Sequence, residues 1–250
     1  MDFQGKTVLV TGASGSIGQA IVRQFAQAGA RVALHYHSQR EAAERLIAEL
    51  GGGHIAVGAD MGDGASIQRM VEEVVQQFGQ LDILVNNAGI DIKHAVAEVG
   101  YEEWQRAWRR VIGVNLIGAA DASYCAARHM MKNGGGRIVN VSSRGAYRGE
   151  PEHTSYGASK AGMSALSQSL AKELAPYKIY VTAVAPGWVE GGMAEPALQG
   201  PGAEAVRQQS PLGRVAKPEE VAYTVLFLAS EGAEFLTGAV VDINGASYLR

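Results

Sequence analysis

A tyrosine and a lysine with the spacing of one helical turn suggest specific chemistry in this sequence. Tyr156 and Lys160 lie four positions apart, so a helix would present both side chains on one face. A tyrosine titrates near a pH of about 10, and a neighbouring ammonium lowers its pKa by favouring the phenolate. Such a pair can exchange a proton with a carbonyl or alcohol oxygen, which Ser143 can hold by a hydrogen bond. Because similar pairs also occur on solvated helix surfaces, the interpretation depends on the surrounding motifs.

A glycine-rich segment near the N-terminus indicates a phosphate-binding turn. Residues 11–18 read Thr-Gly-Ala-Ser-Gly-Ser-Ile-Gly and follow the short apolar run Thr7–Val10. Glycines permit a tight turn and the close approach of a phosphate, and free N–H groups at the start of a helix attract anions. An ordinary glycine-rich turn is the alternative. The place of the segment between the first strand and the first helix favours dinucleotide binding.

The second strand should show which dinucleotide is used. Sites specific for NAD usually place a carboxylate about 20 residues after the glycines, against the ribose diol. Here residues 35–40 read His-Tyr-His-Ser-Gln-Arg and contain no acid. His37, Ser38 and Arg40 can donate hydrogen bonds to a 2′-phosphate, which favours NADP(H), with NAD(H) as the alternative. The segment would also suit a polar loop in which Ser38 caps the next helix.

These motifs lie in a chain that alternates strand and helix patterns. The strand-like runs are Thr7–Val10, Arg31–His35, His54–Val57, Leu81–Val85, Arg137–Val141, Ile179–Val184 and Ala239–Ile243. The helix-like segments are Ile17–Ala28, Arg40–Leu50, Ala65–Phe78, Tyr101–Lys132, Tyr156–Ala175 and Pro218–Ser230. The strands are nearly continuously apolar, as strands covered on both faces should be. The pattern predicts an α/β Rossmann fold in one domain over residues 1–250: a doubly wound, seven-stranded parallel sheet with helices on both faces.

Ligands of such sheets bind beyond the carboxyl ends of the strands, where two further segments are notable. Asn86-Asn87-Ala88-Gly89 ends the fourth strand and suits a wall against a flat ring. Residues 190–202 contain four Gly and two Pro, which predicts a substrate lid over about residues 188–210. The loop between Ser143 and Tyr156 is rich in charged residues. Our best candidates for substrate contact are His153 in this loop and Trp188, which follows the sixth strand.

Composition excludes several classes of protein. The chain has 250 residues and a net charge of −3, so nucleic acid is not expected as a partner. Cys125 is the single cysteine, which rules out an intrachain disulfide or a thiolate metal cluster, and we expect no metal. No apolar run approaches the roughly 18 residues that span a bilayer, and the N-terminus lacks a signal-peptide pattern. We therefore expect a cytoplasmic protein without a membrane partner.

Taken together, the motifs resemble the short-chain dehydrogenase/reductase family over nearly the whole chain. The similarity is closest to the branch of 3-oxoacyl-[acyl-carrier-protein] reductases and their relatives of other specificity. The segments that carry the resemblance are Thr11–Gly18, Asn86–Gly89, Asn115, Ser143, Tyr156, Lys160, Pro186-Gly187, Pro211–Arg214, Pro218–Val221, Phe227–Ser230 and Thr237-Gly238.

The resemblance implies catalytic roles for four residues. Tyr156 would be the proton donor or acceptor, and Lys160 would lower its pKa and bind the nicotinamide ribose. Ser143 would orient the substrate oxygen. Asn115 would interrupt its long helix and hold a water that links Lys160 to solvent.

The resemblance also implies a cofactor site, with hydride passing between the nicotinamide and the substrate carbon. Asp60 and Met61 would lie near the adenine, and Pro186, Gly187 and Val189 near the nicotinamide. The remaining residues expected at the cofactor are Gly12, Ser14, Ser16, Ile17, Gly18, Tyr36, His37, Ser38, Arg40, Asn87, Ala88, Gly89, Tyr156 and Lys160.

The sequence departs from the family pattern at several positions. The middle glycine of the family's cofactor loop is replaced by Ser16, and Gly15 stands where NADP-using relatives often carry a basic residue. Gly191 stands where relatives often carry a threonine. Gly134 and Tyr177 occupy the positions at which carrier-protein reductases hold basic residues that grip the acidic carrier.

We therefore expect an NADP(H)-dependent oxidoreductase, a carbonyl reductase that interconverts a free small or medium ketone and a secondary alcohol. The alternatives are a 3-oxoacyl-carrier-protein reductase, an NAD-dependent sugar or polyol dehydrogenase and a cofactor-sensing scaffold without turnover. We expect a homotetramer in which Tyr101–Lys132 and Tyr156–Ala175 meet their symmetry mates. Small side chains would allow that approach, at Ala119, Ala120, Ala122, Ala126 and Ala127.

Overall fold

All seven strands pair in one parallel sheet in a computed structural model that describes residues 1–250. The strands are β1 (Thr7–Val10), β2 (Arg31–Tyr36), β3 (Ile55–Gly58), β4 (Ile83–Asn86), β5 (Gly136–Val141), β6 (Ile179–Pro186) and β7 (Val240–Ile243). Their order is β3-β2-β1-β4-β5-β6-β7. Strands β2 and β3 are therefore added on one side of β1, and strands β4 to β7 on the other. Both the predicted fold and the number of strands are confirmed. The switch between β1 and β4 is the place where such sheets bind ligands.

Helices cover both faces of the sheet. Their bounds are α1 (Ser16–Gln27), α2 (Arg40–Leu50), α3 (Gly64–Phe78), α4 (Tyr101–Ile112), α5 (Gly118–Met130), α6 (Gly145–Arg148), α7 (Thr154–Leu174), α8 (Glu195–Gln199), α9 (Ala203–Arg207) and α10 (Pro218–Ala229). One apolar core lies beneath α1 and α10, and a second lies beneath α3, α5 and α7. None of the helices combines the length and apolar character needed to cross a bilayer.

Local signals set the helix boundaries. The Asp63 side chain accepts a hydrogen bond from the Ala65 N–H at the start of α3, and Gly79 ends that helix in the left-handed conformation. The alternative that Ser38 caps α2 is wrong. Gln39 holds the capping position, and no side chain accepts a hydrogen bond there.

The predicted long helix Tyr101–Lys132 is two helices joined by a wide turn. The turn spans Gly113–Ile117, adopts a π-helical conformation and contains Asn115, which confirms the expected interruption. On α5 the small side chains face inward: Ala119, Ala122, Ala126 and Ala127 are buried within a single chain. These four alanines therefore let α5 pack against α3 and the sheet and cannot face a second subunit. Ala120 is only half-buried, and the homotetramer stays a prediction.

The segment expected to form a lid folds as short helices. A single turn over Gly192–Ala194 leads into α8, and α9 follows after three residues. Val189, at the start of this segment, pairs with Ala216, which lies six residues beyond its end. The cavity described below lies under this segment.

Candidate active site

Ser143 and Tyr156 meet where the end of β5 faces the start of α7. Ser143 lies two residues beyond β5, and Tyr156 is the third residue of α7. Their hydroxyl groups lie close enough for Ser143 to affect the pKa of Tyr156. The Ser143 Oγ also accepts a hydrogen bond of 3.0 Å from the Gly145 N–H, which fixes its position. Two hydroxyl groups thus lie at the same end of the sheet, where they could hold a carbonyl oxygen.

The environment of Tyr156 keeps its proton on the phenol. Burial raises the pKa of Tyr156 to about 12; the hydrogen bond from Ser143 opposes this rise, and the charges of Asp91 and Glu150 add to it. The Lys160 Nζ lies 5.7 Å from the centre of the phenol ring, and burial is the largest influence on the Tyr156 pKa. At neutral pH Tyr156 is therefore a proton donor. That Lys160 lowers this pKa stays a prediction.

Lys160 is buried beside the phenol with one protein partner for its ammonium group. Its Nζ donates a hydrogen bond of 2.8 Å to the Val141 carbonyl oxygen at the end of β5. Burial lowers the pKa of Lys160 to about 8. An ammonium has three N–H donors, so the chain leaves donors for a ligand. Gly89 borders the same space: a side chain there would lie 3.4 Å from Nζ.

Asn115 connects the segment after β4 to α7. Its Oδ1 accepts a hydrogen bond of 2.8 Å from the Ile90 N–H, and its Nδ2 donates to the Ile90 carbonyl oxygen and to the Ser159 Oγ. Ser159 precedes Lys160 on α7, so Asn115 helps to set the position of that helix. Both ends of the amide have protein partners. The water expected between Asn115 and Lys160 stays a prediction.

The glycine-rich turn packs too closely for side chains at two positions. Gly12 has a φ of +63°, and a Cβ there would lie 2.8 Å from the Ala88 Cα. A Cβ at Gly18 would lie 2.3 Å from the Gly12 carbonyl oxygen, so α1 approaches the turn closely. Gly15 holds the capping position of α1 without a side-chain hydrogen bond. The first N–H groups of α1 thus suit the phosphates of a dinucleotide.

A buried histidine at the end of β2 supports this turn, and the sequence analysis missed it. The His35 Nδ1 accepts a hydrogen bond of 2.9 Å from the Gly12 N–H. Its Nε2 lies 3.1 Å from the Ala59 carbonyl oxygen, which assigns the proton to Nε2. Burial lowers the pKa of His35, so the ring is neutral. The sequence signal for this role is a histidine within the otherwise apolar run of β2, because a buried polar side chain needs a hydrogen-bond partner.

The turn after β4 is tied to the glycine-rich turn. The Asn87 Nδ2 donates to the carbonyl oxygens of Thr11 and Gly12, at 2.9 and 3.0 Å. The Thr11 hydroxyl accepts hydrogen bonds of 3.0 Å from the N–H groups of Asn87 and Ala88. The amide of Asn87 is therefore structural, and the backbone from Asn87 to Gly89 is the part free to border a cofactor.

The residues expected at the adenosine end lie together but are partly paired. Arg40 is exposed, and its Nε donates a hydrogen bond of 2.7 Å to Glu44. The His37 Nε2 lies 4.0 Å from Asp60, a carboxylate that Arg110 also approaches at 3.4 Å. A hydrogen bond from the Gly62 N–H is the main cause that lowers the pKa of Asp60. The region expected to hold the adenosine therefore contains hydrogen-bond donors on His37 and Arg40, but also the Asp60 carboxylate.

Several predicted contacts occupy the walls of the site. Met61 is buried beneath Gly118 of α5, and its carbonyl oxygen faces that glycine. The Pro186 carbonyl oxygen accepts a hydrogen bond of 2.8 Å from the Arg144 N–H, and Gly187 packs against Asn244. Ser16 lies beside Gly191 and Gly192 at the start of the lid segment. The Ser14 carbonyl oxygen accepts a hydrogen bond from the Gln19 side chain, and the Tyr36 carbonyl oxygen accepts one from the Ala59 N–H. For Ser14, Ile17, Tyr36, Ser38 and Val189, contact with the cofactor stays a prediction.

The two residues predicted to touch substrate have different partners. The His153 Nδ1 lies 2.8 Å from Asp91, which follows the turn after β4. The Trp188 Nε1 donates a hydrogen bond of 3.2 Å to the Gln209 Oε1 in the lid segment. The structure therefore joins His153 to the turn after β4 and Trp188 to the lid.

A parallel sheet with a glycine-rich turn at its switch point, together with Ser143, Tyr156 and a buried Lys160 beside it, defines a dinucleotide-dependent oxidoreductase. The model of the family described as Enoyl-(Acyl carrier protein) reductase matches residues 12–246. This chain belongs to the short-chain dehydrogenase/reductase family.

Named relatives cover the chain almost completely. It is 38% identical over 247 residues to the 3-oxoacyl-[acyl-carrier-protein] reductase FabG of Staphylococcus aureus, with 98% of each chain covered. It is 41% identical over 248 residues to the protein of the same name from Thermotoga maritima, again with 98% of each chain covered. A Brucella melitensis 3-ketoacyl-(acyl-carrier-protein) reductase complexed with NADH superposes with a TM-score of 0.89 at 34% identity, covering 99% of this chain and 100% of the other.

Proposed function

We propose that the protein is an NADP(H)-dependent carbonyl reductase that interconverts a ketone and a secondary alcohol. The observation that carries this proposal is the placement of Ser143, Tyr156 and Lys160 where the end of β5 meets α7, with the Lys160 Nζ 5.7 Å from the centre of the Tyr156 ring. A proton held on the Tyr156 phenol at neutral pH suits donation to a carbonyl oxygen, which is the proton transfer that ketone reduction requires. When bound, the nicotinamide dinucleotide supplies or accepts the hydride.

The chain's own residues would handle the proton and the oxygen. Ser143 donates a hydrogen bond to the substrate carbonyl oxygen and fixes its distance from Tyr156. Tyr156 donates its proton to that oxygen as negative charge develops there. Lys160 stabilises the phenolate that remains, because an ammonium nearby favours the charged form. Its remaining N–H donors would bind the ribose hydroxyls of the cofactor, and Asn115 holds α7 through its hydrogen bond to Ser159.

For the cofactor, NADP(H) is favoured because β2 ends without an acid. His37, Ser38 and Arg40 supply the donors for a 2′-phosphate, although Glu44 already binds Arg40. NAD(H) is the second candidate, since Asp60 brings a carboxylate close to His37 and a relative was solved with NADH. Comparing kcat/KM for NADPH and NADH with one ketone tests the choice. A higher value with NADH would reject NADP(H).

For the substrate, we favour a free ketone over a carrier-linked acyl chain. Gly134 and Tyr177 offer no charge to an acidic carrier. Arg137 forms an ion pair with Glu234 and stacks on the Tyr180 ring. Its charge is therefore balanced within the chain and offers little attraction to an acidic carrier. The carrier-linked 3-oxoacyl chain remains the second candidate, because relatives at 38–41% identity carry that name.

The two substrates are separated by a direct comparison. The measurement is kcat/KM for a carrier-linked 3-oxoacyl chain, for its simple 3-oxo ester and for small polar ketones. An advantage of the carrier-linked substrate above about tenfold, equivalent to ~1.4 kcal/mol, would assign the enzyme to acyl chains on a carrier. Turnover of sugars or polyols with NAD⁺ would instead support a polyol dehydrogenase. Cofactor binding without any turnover would support a scaffold.

We also propose a cytoplasmic homotetramer. Large apolar side chains stay exposed on two separate surfaces of the chain. One is on the turn before α5 and on α5 itself, at Ile117 and Tyr124. The other is on and after α10, at Tyr223, Phe227 and Phe235. Two self-complementary surfaces suffice to build a tetramer. Light scattering that gives a monomer mass at micromolar concentration would contradict this assembly.

A further inference from the structure

Arg144 is a buried cation without an anionic partner. It follows Ser143 directly, and it is 3% exposed. Its Nη1 donates to the Ser247 Oγ at 2.6 Å and its Nη2 to the Gln209 Oε1 at 3.0 Å, while its buried Nε has no partner. Every ion pair in the structure joins other residues. Buried charges are normally paired, so the Arg144 guanidinium favours binding of an anion.

Three donors converge on one neutral oxygen beside Arg144. The Gln209 Oε1 accepts hydrogen bonds from Arg144, from the Arg148 Nη1 at 2.9 Å and from the Trp188 Nε1 at 3.2 Å. Two guanidinium groups repel each other across a neutral amide. A carboxylate oxygen at the same point would receive the same three hydrogen bonds and offset one of the two positive charges. The amide oxygen of Gln209 thus marks where an anionic oxygen is favoured.

None of the acids around this cluster makes an ion pair with Arg144 or Arg148. Glu220 binds Arg214 through both carboxylate oxygens at 2.7 Å. Asp242 accepts a hydrogen bond of 2.9 Å from Arg250. Glu150 packs over Gly145 and makes no ion pair with Arg144. The cluster therefore keeps its positive charge within the folded chain.

A cavity of about 150 Å³ opens onto the cluster beneath the lid segment. Its walls include Arg144, Trp188, Gln209, Asn244 and Ser247. Sites for whole ligands enclose about 300–1,000 Å³, so this space suits a single group such as a carboxylate. Arg144 adjoins Ser143, and its backbone N–H donates to the Pro186 carbonyl oxygen in the wall expected near the nicotinamide.

We propose that Arg144, Arg148 and the Trp188 indole N–H form a subsite for a carboxylate on the substrate. The proposal rests on the proposed ketone reduction and narrows its substrate to an oxo-carboxylic acid. The reacting carbonyl lies at Ser143 and Tyr156, and the carboxylate replaces the Gln209 amide oxygen. Gln209 belongs to the lid segment, so its side chain can leave without disturbing the sheet. Binding of the acid would thereby be coupled to the position of the lid.

The first test compares each acid with its neutral ester. The probes are 3-oxobutanoate, 4-oxopentanoate and 5-oxohexanoate, each beside its methyl ester, and the readout is the ratio of their kcat/KM values. At least one acid should exceed its ester by about tenfold or more, chiefly through KM, because charge-assisted hydrogen bonds are lost with the ester. In Arg148→Gln, an exposed position that should not affect folding, and in Arg144→Gln, that ratio should fall towards one. An unchanged ratio in both variants would overturn the proposal.

A second test replaces the neutral Gln209 amide by a carboxylate of the protein itself. Gln209→Glu places a carboxylate at the convergence point, so it should remove the preference for acids and raise the unfolding temperature. Gln209→Ala is the matched control: it opens the subsite without adding charge and should keep or increase the preference. Equal effects of the two variants on the acid-to-ester ratio would contradict an anion subsite.

A binding measurement separates this proposal from the proposed function. Trp104→Phe with Trp108→Phe leaves Trp188 as the single tryptophan, whose fluorescence is titrated with 4-oxopentanoate, its methyl ester and inorganic phosphate. Saturable quenching by the acid alone, even without turnover of any ketone, supports the subsite while rejecting the reductase. Quenching by phosphate with no preference for acids in turnover would assign a free-anion site and overturn the substrate role. Turnover without quenching or acid preference would overturn the subsite and retain the reductase.

Discussion

The imidazole of His35 holds the backbone of Gly12 in place, with its Nδ1 2.9 Å from the Gly12 nitrogen. This bond connects the end of β2 to the phosphate-binding turn 23 residues earlier in the chain. It exists only while the ring is neutral, because a protonated imidazole has no acceptor. The stability of the turn therefore depends on the protonation of one buried side chain.

This relationship predicts a loss of stability in mild acid. Burial holds the pKa of His35 below its ordinary value of 6.5, so the unfolded chain binds the proton more readily. The stabilisation is present above that value and is lost as the pH falls below it, by up to about 1.4 kcal/mol per pH unit. Urea unfolding of the wild type and of His35→Gln at a series of pH values measures this slope. Burial also lowers the pKa of His54, so His54→Gln is the matched control. Equal slopes in the wild type and His35→Gln would contradict this role of His35.

The two glycines of the phosphate-binding turn should respond differently to alanine. Gly12→Ala forces a side chain into positive φ and against Ala88, which should cost at least about 1–3 kcal/mol of stability and weaken cofactor binding. At Gly15 the nearest atom to an added Cβ is 3.6 Å away, so Gly15→Ala should be tolerated. Thermal unfolding and cofactor titration of both variants check the contrast. Similar losses at the two positions would show that the close packing at Gly12 is not the cause.

The fold could be predicted because each strand is a separate apolar run bounded by turn residues. The strand bounds agree with those of the structure to within two residues at each end. Contacts between distant segments could not be read from the pattern. The alanines of α5 fit either a subunit interface or the core, and only the packing against α3 decides. The pKa of Tyr156 is set by burial, which the four-residue spacing to Lys160 does not reveal.

Reduction should become slower as the pH rises above neutrality. The pKa of Lys160 is lowered to about 8, so its ammonium is lost above that pH while Tyr156 is still protonated. Loss of the charge removes the stabilisation of the phenolate formed by proton transfer. The pH profile of kcat/KM should fall with an inflection near the Lys160 pKa. In Lys160→Arg the inflection should disappear, since arginine stays charged throughout.

Lys160→Ala should reduce both activity and cofactor affinity, because the side chain is assigned to two tasks. Activity falls because the phenolate loses its neighbouring charge, and affinity falls because the ribose loses its donor. Fluorescence titration with NADPH and steady-state rates separate the two effects. Normal cofactor affinity in this variant would argue against the ribose contact.

The choice of cofactor should depend on the loop after β2. His37→Ala combined with Arg40→Ala should raise the KM for NADPH more than that for NADH, because the donors to a 2′-phosphate are removed. Glu44→Gln is the complementary variant: it releases Arg40 from its hydrogen bond and should lower the KM for NADPH. Parallel changes with both cofactors would place the 2′-phosphate elsewhere.

The central claim is that the Tyr156 hydroxyl is the acid that protonates the substrate oxygen. Tyr156→Phe removes that oxygen and leaves the ring packed on α7, so cofactor binding should be retained. The direct measurement is kcat of the purified variant with a ketone that the wild type reduces, alongside NADPH titration. We predict a fall in kcat of about 10²–10⁴-fold, the usual contribution of a positioned acid, with a cofactor Kd close to that of the wild type. A kcat near the wild-type value would contradict the assignment.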